Sequence, residues 1–444
     1  MKTATLTTTT AAAGNLNMPW WLGCVVTCLM MPAANAEDWD HWRGWQRNDI
    51  SPESSRWDGN TWPQQELWRA SVGEGSSSPL VSGDQVFLTG WSNEQDTIVC
   101  LDANTGKQIW RQSYPQPRYG RHSVGDKSLY SGACSTPEYD ADSGWLFSLG
   151  VDGDLNAWDT RKAGQRVWSL NLYERYQAAR RPEVAKRKKT QRDYGYTSSP
   201  LVLGDQVIVE VGGNQGNLVA FHKRDGRELW TSENRDEAGH TGGPVPITVA
   251  GVRCVAVLTL RNLVVTRIDG AGAGKTVATY PWTTDFGNNI ATAAVADDSV
   301  IITSAYNHSA MCRLQITLGG AKQLWETKGI ASGVCTPIIH AGHVYWAWRG
   351  VHCVDYETGK ELWVGGKVGS QGSCILTSDE RLIVYANKGD LTLVETAKRS
   401  PKKYTELAAK QVLSATDAWP HVVLAGGKLI CRDRDGSVRC LSLK

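Results

Sequence analysis

One nine-residue phrase occurs nearly twice in this 444-residue chain, as DANTGKQIW at 102–110 and DYETGKELW at 355–363. Altered copies surround them. HKRDGRELW ends at Trp230, DTRKAGQRVW ends at Trp168 with one residue more, LGGAKQLW ends at Trp325, and TVATYPW at Trp282 is a degraded copy. QQELW at Trp68 keeps only the tail, and KYTELA puts Ala408 where a Trp would stand. The anchors fall at 68, 110, 168, 230, 282, 325, 363 and 408, between 38 and 62 residues apart. A second pattern recurs with them. Each interval holds a hairpin such as SSPLVSGDQVFL (77–88), SSPLVLGDQVIV (198–209) or TPIIHAGHVYWA (336–347), whose apolar β-branched runs are split by Gly, Asp, Asn or Ser turns.

Periods of this length, with several short strands in each, predict a propeller. The expected fold is all-β: an eight-bladed β-propeller of four-stranded antiparallel blades over 66–444. The 45 glycines and 20 tryptophans against 4 phenylalanines suit tight turns and one reused aromatic anchor. In the repeat, Asp102 and Thr105 can cap a tight turn, and Gly106, like Gly226 and Gly359, supplies positive φ. The next strand ends in the Trp. A twisted blade cannot cover its own apolar faces, so Trp68, Trp110, Trp168, Trp230, Trp282, Trp325 and Trp363 are read as structural docking residues that seal the seams. The chain stops at SVRCLSLK, where a turn and a last LW strand should follow, while QELWRA at 65–70 lacks its turn. The N-terminal strand is therefore expected to complete the last blade and close the ring, leaving no open sheet edge.

Residues 1–36 read as a secretory signal peptide: Lys2, the apolar run WWLGCVVTCLMM (20–31), then PAANA with small residues at Ala34 and Ala36. Cleavage is expected near Ala36. The run is too short for an integral membrane span; WLGC, ending at Cys24, also resembles a lipidation site. Residues 37–65 are an N-terminal extension. RYQAARRPEVAKRKKTQR (175–192), with eight basic residues and one acid, marks a basic insertion at about 171–193. The net charge of +2 gives no pull toward nucleic acid. DGAGAGKT (269–276) has Asp269 where a phosphate loop needs its first Gly, and it joins two strands, so it reads as a turn. His340, His343 and His352 fit no helix-borne metal pair. Nine of the eleven cysteines lie beyond the leader. A two-residue Asp435–Gly436 turn would place Cys431 and Cys440 opposite each other, either as a disulfide or as two buried thiols.

The units Ala157/Asp159/Gly164/Trp168 and Ala220/Gly226/Trp230, with Cys100 and Cys353 replacing the small first residue, resemble the tryptophan-docking repeat of PQQ-like (quinoprotein-type) β-propellers over about 37–444. DWDHWRGWQRNDIS (38–51) resembles the entry of exported, planctomycete-type PQQ-like repeat proteins. The same shape builds the outer-membrane barrel assembly lipoprotein of Gram-negative bacteria. Dehydrogenases of the family hold PQQ beneath a disulfide of adjacent cysteines, with calcium and a catalytic Asp. This chain has no Cys-Cys pair, so the resemblance implies no catalytic, cofactor-binding or metal residue here, and no PQQ or other cofactor is expected.

The resulting expectation is an exported protein of the periplasm or cell envelope, monomeric and without catalysis, that binds or scaffolds protein partners, in the manner of outer-membrane protein assembly. The alternative is a periplasmic enzyme using the central funnel, either a quinoprotein-type oxidoreductase or a polymer-acting hydrolase. Candidate binding loops are YPQPRYGRH (114–122), RDYGYT (192–197) and EAGHTGG (237–243), through Tyr119, Arg121, His122, Tyr194, Tyr196 and His240.

Overall fold

The computed structural model describes Met1 and residues 38–118, 132–178, 195–239, 242–284, 289–306 and 308–443. The strands form eight four-stranded antiparallel sheets. Blades 1–7 are contiguous in sequence, at 80–115, 138–171, 201–231, 245–281, 294–328, 338–365 and 372–411. Blade 8 takes three strands from 423–442 and its outermost strand from Gln65–Ser71. That strand pairs with Ser437–Ser442, Trp68 opposite Cys440, so the ring closes through the N-terminal strand.

Burial falls from the axis outward. In blade 1 the second strand, Gln85–Ser92, is buried without a break from Val86 to Trp91. Neighbouring blades cover both its faces, so the strand reads as an apolar run and does not alternate. The outermost strand, Gln108–Pro115, buries only Trp110 and Tyr114, as expected of a strand with one wet face. The basic insertion begins on a single helical turn, Leu172–Tyr176, capped by Asn171; residues 179–194 lie outside the described part. DGAGAGKT joins the strands Asn262–Arg267 and Thr276–Pro281 through a 3-10 turn, as a connection between strands should.

A bulge recurs where the third and fourth strands of every blade meet. Cys100 faces Trp110 and Leu101 faces Gln108, so Ile109 is the extra residue. The Leu-Trp pair of the repeat thus encodes a bulge followed by an inward indole. The bulged residue turns to solvent: Ile109 is 50% exposed. This register corrects the reading of Trp282. In blade 4 Val265 faces Ala278 and Thr266 faces Thr276, so Val277-Ala278 stands where blades 8 and 6 have Leu67-Trp68 and Leu362-Trp363. Trp282 follows that strand and packs on His308, with ring centroids 4.1 Å apart.

Four of the docking indoles lie on a glycine in the turn of the next blade. A Cβ on Gly106 would come within 2.7 Å of the Trp68 ring; on Gly164, within 2.6 Å of Trp110; on Gly226, within 3.0 Å of Trp168; and on Gly359, within 2.7 Å of Trp325. Trp68, Trp168 and Trp325 donate their indole N–H, each at 2.9 Å, to the carbonyls of Ala103, Lys223 and Tyr356, three residues before the glycine. The turn at Gly164 is one residue longer and winds into a 3-10 turn, which moves that carbonyl, and among the described residues Trp110 Nε1 has no partner. Trp230 donates instead to Gln206 Oε1 at 2.7 Å. Trp363 meets Tyr404 of blade 7 edge-on, and its Nε1 is likewise without a partner.

Candidate functional site

The first strand of each blade is short, and its free edge faces the axis. The residues entering these strands form a hydrogen-bonded belt from blade to blade. Ser78 N donates to Thr136 Oγ1 (2.9 Å), Ser135 Oγ to Ser198 O (2.9 Å), Ser199 N to Gly242 O (2.8 Å), Gly242 N to Thr292 Oγ1 (3.1 Å) and Thr292 N to Thr336 Oγ1 (3.0 Å). Val422 N donates to Ser373 Oγ (3.1 Å) and His421 N to Ser78 Oγ (2.9 Å). The sequence signal for this belt is the Ser/Thr pair before Pro in SSP, STP and SSP, at the start of the hairpins of blades 1, 2 and 3.

The N-terminal extension runs through this ring. Trp39 bridges Val81 of blade 1, and Ile50 bridges Leu376 of blade 7, both on axial edges. Trp42 sits on Gly242, entering blade 4, and its ring meets His421, entering blade 8, at 5.2 Å. Blades 4 and 8 lie across the ring from each other, so one indole that touches both occupies the axis.

An ionic lock holds the segment there. Arg43 pairs with Asp49 through Nε and donates from Nη2 to Pro337 O of blade 6 at 3.0 Å. The two side chains are 2% and 0% exposed. His421 Nε2 lies 3.6 Å from Asp49 Oδ1. Burial depresses the His421 pKa; Asp49 opposes this, and the Arg43 charge adds to it. The imidazole therefore favours its neutral form, and Arg43 supplies the cation for Asp49. Arg43, Arg47 and Asp49 all hold positive φ, at 67°, 55° and 62°. Side chains rarely adopt this backbone, at a cost of order 1–3 kcal/mol each, and here the lock and the packing of Trp39 on Gly44 hold it.

Further ties fix the rest of the extension. Glu138 of blade 2 accepts from Arg47 and from Val202 N of blade 3 (3.2 Å), with His41 Nδ1 3.2 Å away. Burial would raise its pKa, but Arg47 and His41 outweigh that and lower it. The Glu53 carboxylate accepts the amides of Gly426 and Gly427 at 2.7 and 2.6 Å, straddling a turn of blade 8. Ser55 donates its amide and hydroxyl to Asp379 of blade 7 at 2.8 and 2.7 Å. Burial works against ionising Asp379, yet these bonds, Thr377 and Arg381 bring its pKa to about 2.

Several candidate residues sit elsewhere than expected. Tyr196 is not a surface contact: it is fully buried, its hydroxyl donates to Val211 O at 3.0 Å, and its ring lies 4.9 Å from that of Tyr173. Tyr119, Arg121, His122, Tyr194 and His240 lie outside the described residues. Cys431 faces Arg439 and Ile430 faces Cys440, so the two cysteines point to opposite faces of blade 8 and remain free thiols. The turn is the reason: it spans Asp433 to Ser437 and is longer than two residues, which shifts the register by one. His340 pairs with Glu380, His343 bonds Ala341 O, and His352 stacks on Trp346.

A family model described as outer membrane protein assembly factor BamB matches residues 63–133 and 135–365. The chain belongs to this family. A BamB of Burkholderia pseudomallei (strain K96243) is 25% identical over 394 residues, which cover 84% of this chain and 87% of that protein. The crystal structure of BamB from Moraxella catarrhalis superposes with a TM-score of 0.56 at 13% identity, covering 85% of this chain and 99% of that one. A quinohemoprotein alcohol dehydrogenase from Comamonas testosteroni reaches a TM-score of 0.61 at 13% identity, covering 91% and 80%. At such identities these two structures speak for the shared propeller alone. The BamB match begins at residue 63, so the segment that crosses the axis precedes the matched part.

Proposed function

We propose that this protein is an exported binding and scaffolding protein of the cell envelope that works without catalysis or cofactor in the assembly of outer-membrane proteins. Membership of the BamB family supports the class of work. The observation that carries the rest is Trp42 on the axis, held between blades 4 and 8. A funnel enzyme needs concave room where substrate and reactive groups meet. Here that room, at the level of the inner strands, is filled by the chain's own indole and buried ion pair, which favours work at the rims and the circumference. Residues 1–36 act as the export leader in this reading, the mature chain is a monomer, and Tyr119, Arg121, His122, Tyr194 and His240 are contact residues for protein partners.

Deleting the gene in its own bacterium tests this. The expected result is less folded β-barrel protein in the outer membrane, restored by the wild-type chain. Unchanged barrel levels overturn the reading, and a saturable change in PQQ absorbance on mixing with the purified chain and Ca²⁺ would restore the funnel enzyme.

A further inference from the structure

We propose that Cys335 and Cys374 form a disulfide that staples blade 6 to blade 7 behind the ionic lock. Their Sγ atoms lie 3.7 Å apart, 39 residues apart in sequence, and both are buried. Among the described residues no other pair of sulfurs is in hydrogen-bonding contact. A disulfide needs an S–S distance of about 2.05 Å, so the two sulfurs must close from this contact for the bond to form. Cys335 stands just before Pro337, at the entry to blade 6, and Cys374 lies in Gly372–Leu376, the inner strand of blade 7.

Two independent features give the staple a purpose. This seam lacks the indole-on-glycine dock: Trp363 meets Tyr404 instead, and among the described residues its indole N–H has no partner. The lock also grips both strands two residues beyond each cysteine: Arg43 donates to Pro337 O at 3.0 Å, and Leu376 N donates to Asp49 O at 2.9 Å. A covalent link at 335–374 fixes the spacing of the two strands that Arg43 and Asp49 bridge.

The oxidant is a disulfide-bearing thiol oxidant of the export compartment, or oxidised glutathione in vitro. The Cys335 thiolate attacks one oxidant sulfur, forming a mixed disulfide and expelling the first thiolate. The Cys374 thiolate then attacks the Cys335 sulfur and expels the second. Two electrons reduce the oxidant's S–S bond, and the two cysteine protons end on its two thiols. In the folded protein the contact with Cys335, and then burial, push the Cys374 thiol well up, which disfavours the attacking thiolate once the two cysteines are buried together. In the cell the pairing rests on the export proposed above.

The test refolds the purified chain from denaturant in reduced and oxidised glutathione, alkylates free thiols under denaturing conditions, and maps the digest by mass spectrometry. The expected result is one cross-linked peptide pair joining Cys335 and Cys374, with Cys431 and Cys440 alkylated. Reduction should lower Tm by roughly 5 °C, and Cys335→Ala should abolish that difference while still folding. Full alkylation of both cysteines after refolding, or scattered pairings, overturns the staple. A pair that forms on refolding but is reduced in protein isolated from its own cells upholds the staple and overturns the export reading instead.

Discussion

Arg43→Ala is expected to lower the unfolding free energy by about 3–5 kcal/mol. Its partner Asp49 is fully buried, and among the described residues no second cation stands ready, because burial holds His421 toward its neutral form. Removing the guanidinium leaves a charge in a dry site and also deletes the bond to Pro337 O. The surface supplies a contrast: Arg69 pairs with Glu66, but the two are 68% and 33% exposed, so Arg69→Ala should cost under about 1 kcal/mol. A third variant separates charge burial from loss of packing. Arg43→Met with Asp49→Leu removes both charges and should recover most of the stability lost by Arg43→Ala. Urea unfolding at constant m-value reads all three. Equal small shifts for Arg43→Ala and Arg69→Ala would mean that the lock is solvated.

The second large effect falls at the closing seam. Trp68→Ala should cost about 3–5 kcal/mol, since it empties the space against Gly106 where the first and last strands of the ring meet. Substitution by Phe separates the hydrogen bond from the packing. Trp68 and Trp110 are equally buried, at 6% exposure each, but only Trp68 has a partner for its indole N–H. Trp68→Phe should therefore cost about 1 kcal/mol more than Trp110→Phe. Equal costs would mean that the bond to Ala103 O contributes nothing.

The fold was legible because its signals are local and repeated. A turn glycine, a capping Asp and a Leu-Trp pair in one short phrase specify a turn, a bulge and an inward indole without reference to distant residues. Closure by the N-terminal strand followed from a missing strand at one end and a spare one at the other. The failures came where a single residue of register decides the outcome. Aligning TVATYPW on its Trp hid the fact that Val277-Ala278 fills the bulge position. Assuming the shortest turn at Asp435–Gly436 put Cys431 on the wrong face. Tyr196 looked like a loop contact because a Tyr beside Gly195 has no periodic role; its partners, Tyr173 and Val211, come from tertiary packing.

The axial segment was hidden for a deeper reason. DWDHWRGWQRNDIS shows neither the strand nor the helix period, and its Arg, Asp and His residues are of types found mostly at the surface. Their burial depends on partners hundreds of residues away: Pro337, Leu376 and His421. Nothing local to the segment encodes them.

Amide hydrogen exchange in the purified protein tests the occupied axis most directly. Trp39 and Ser51 donate to Val81 O and Leu376 O, each at 2.8 Å, inside the ring. If the segment is part of the core, these two amides should exchange as slowly as those of Val86–Trp91, opening only when the propeller unfolds. Exchange at the rate of an unstructured chain, with the blade amides still protected, would put the segment in solvent and leave the channel open.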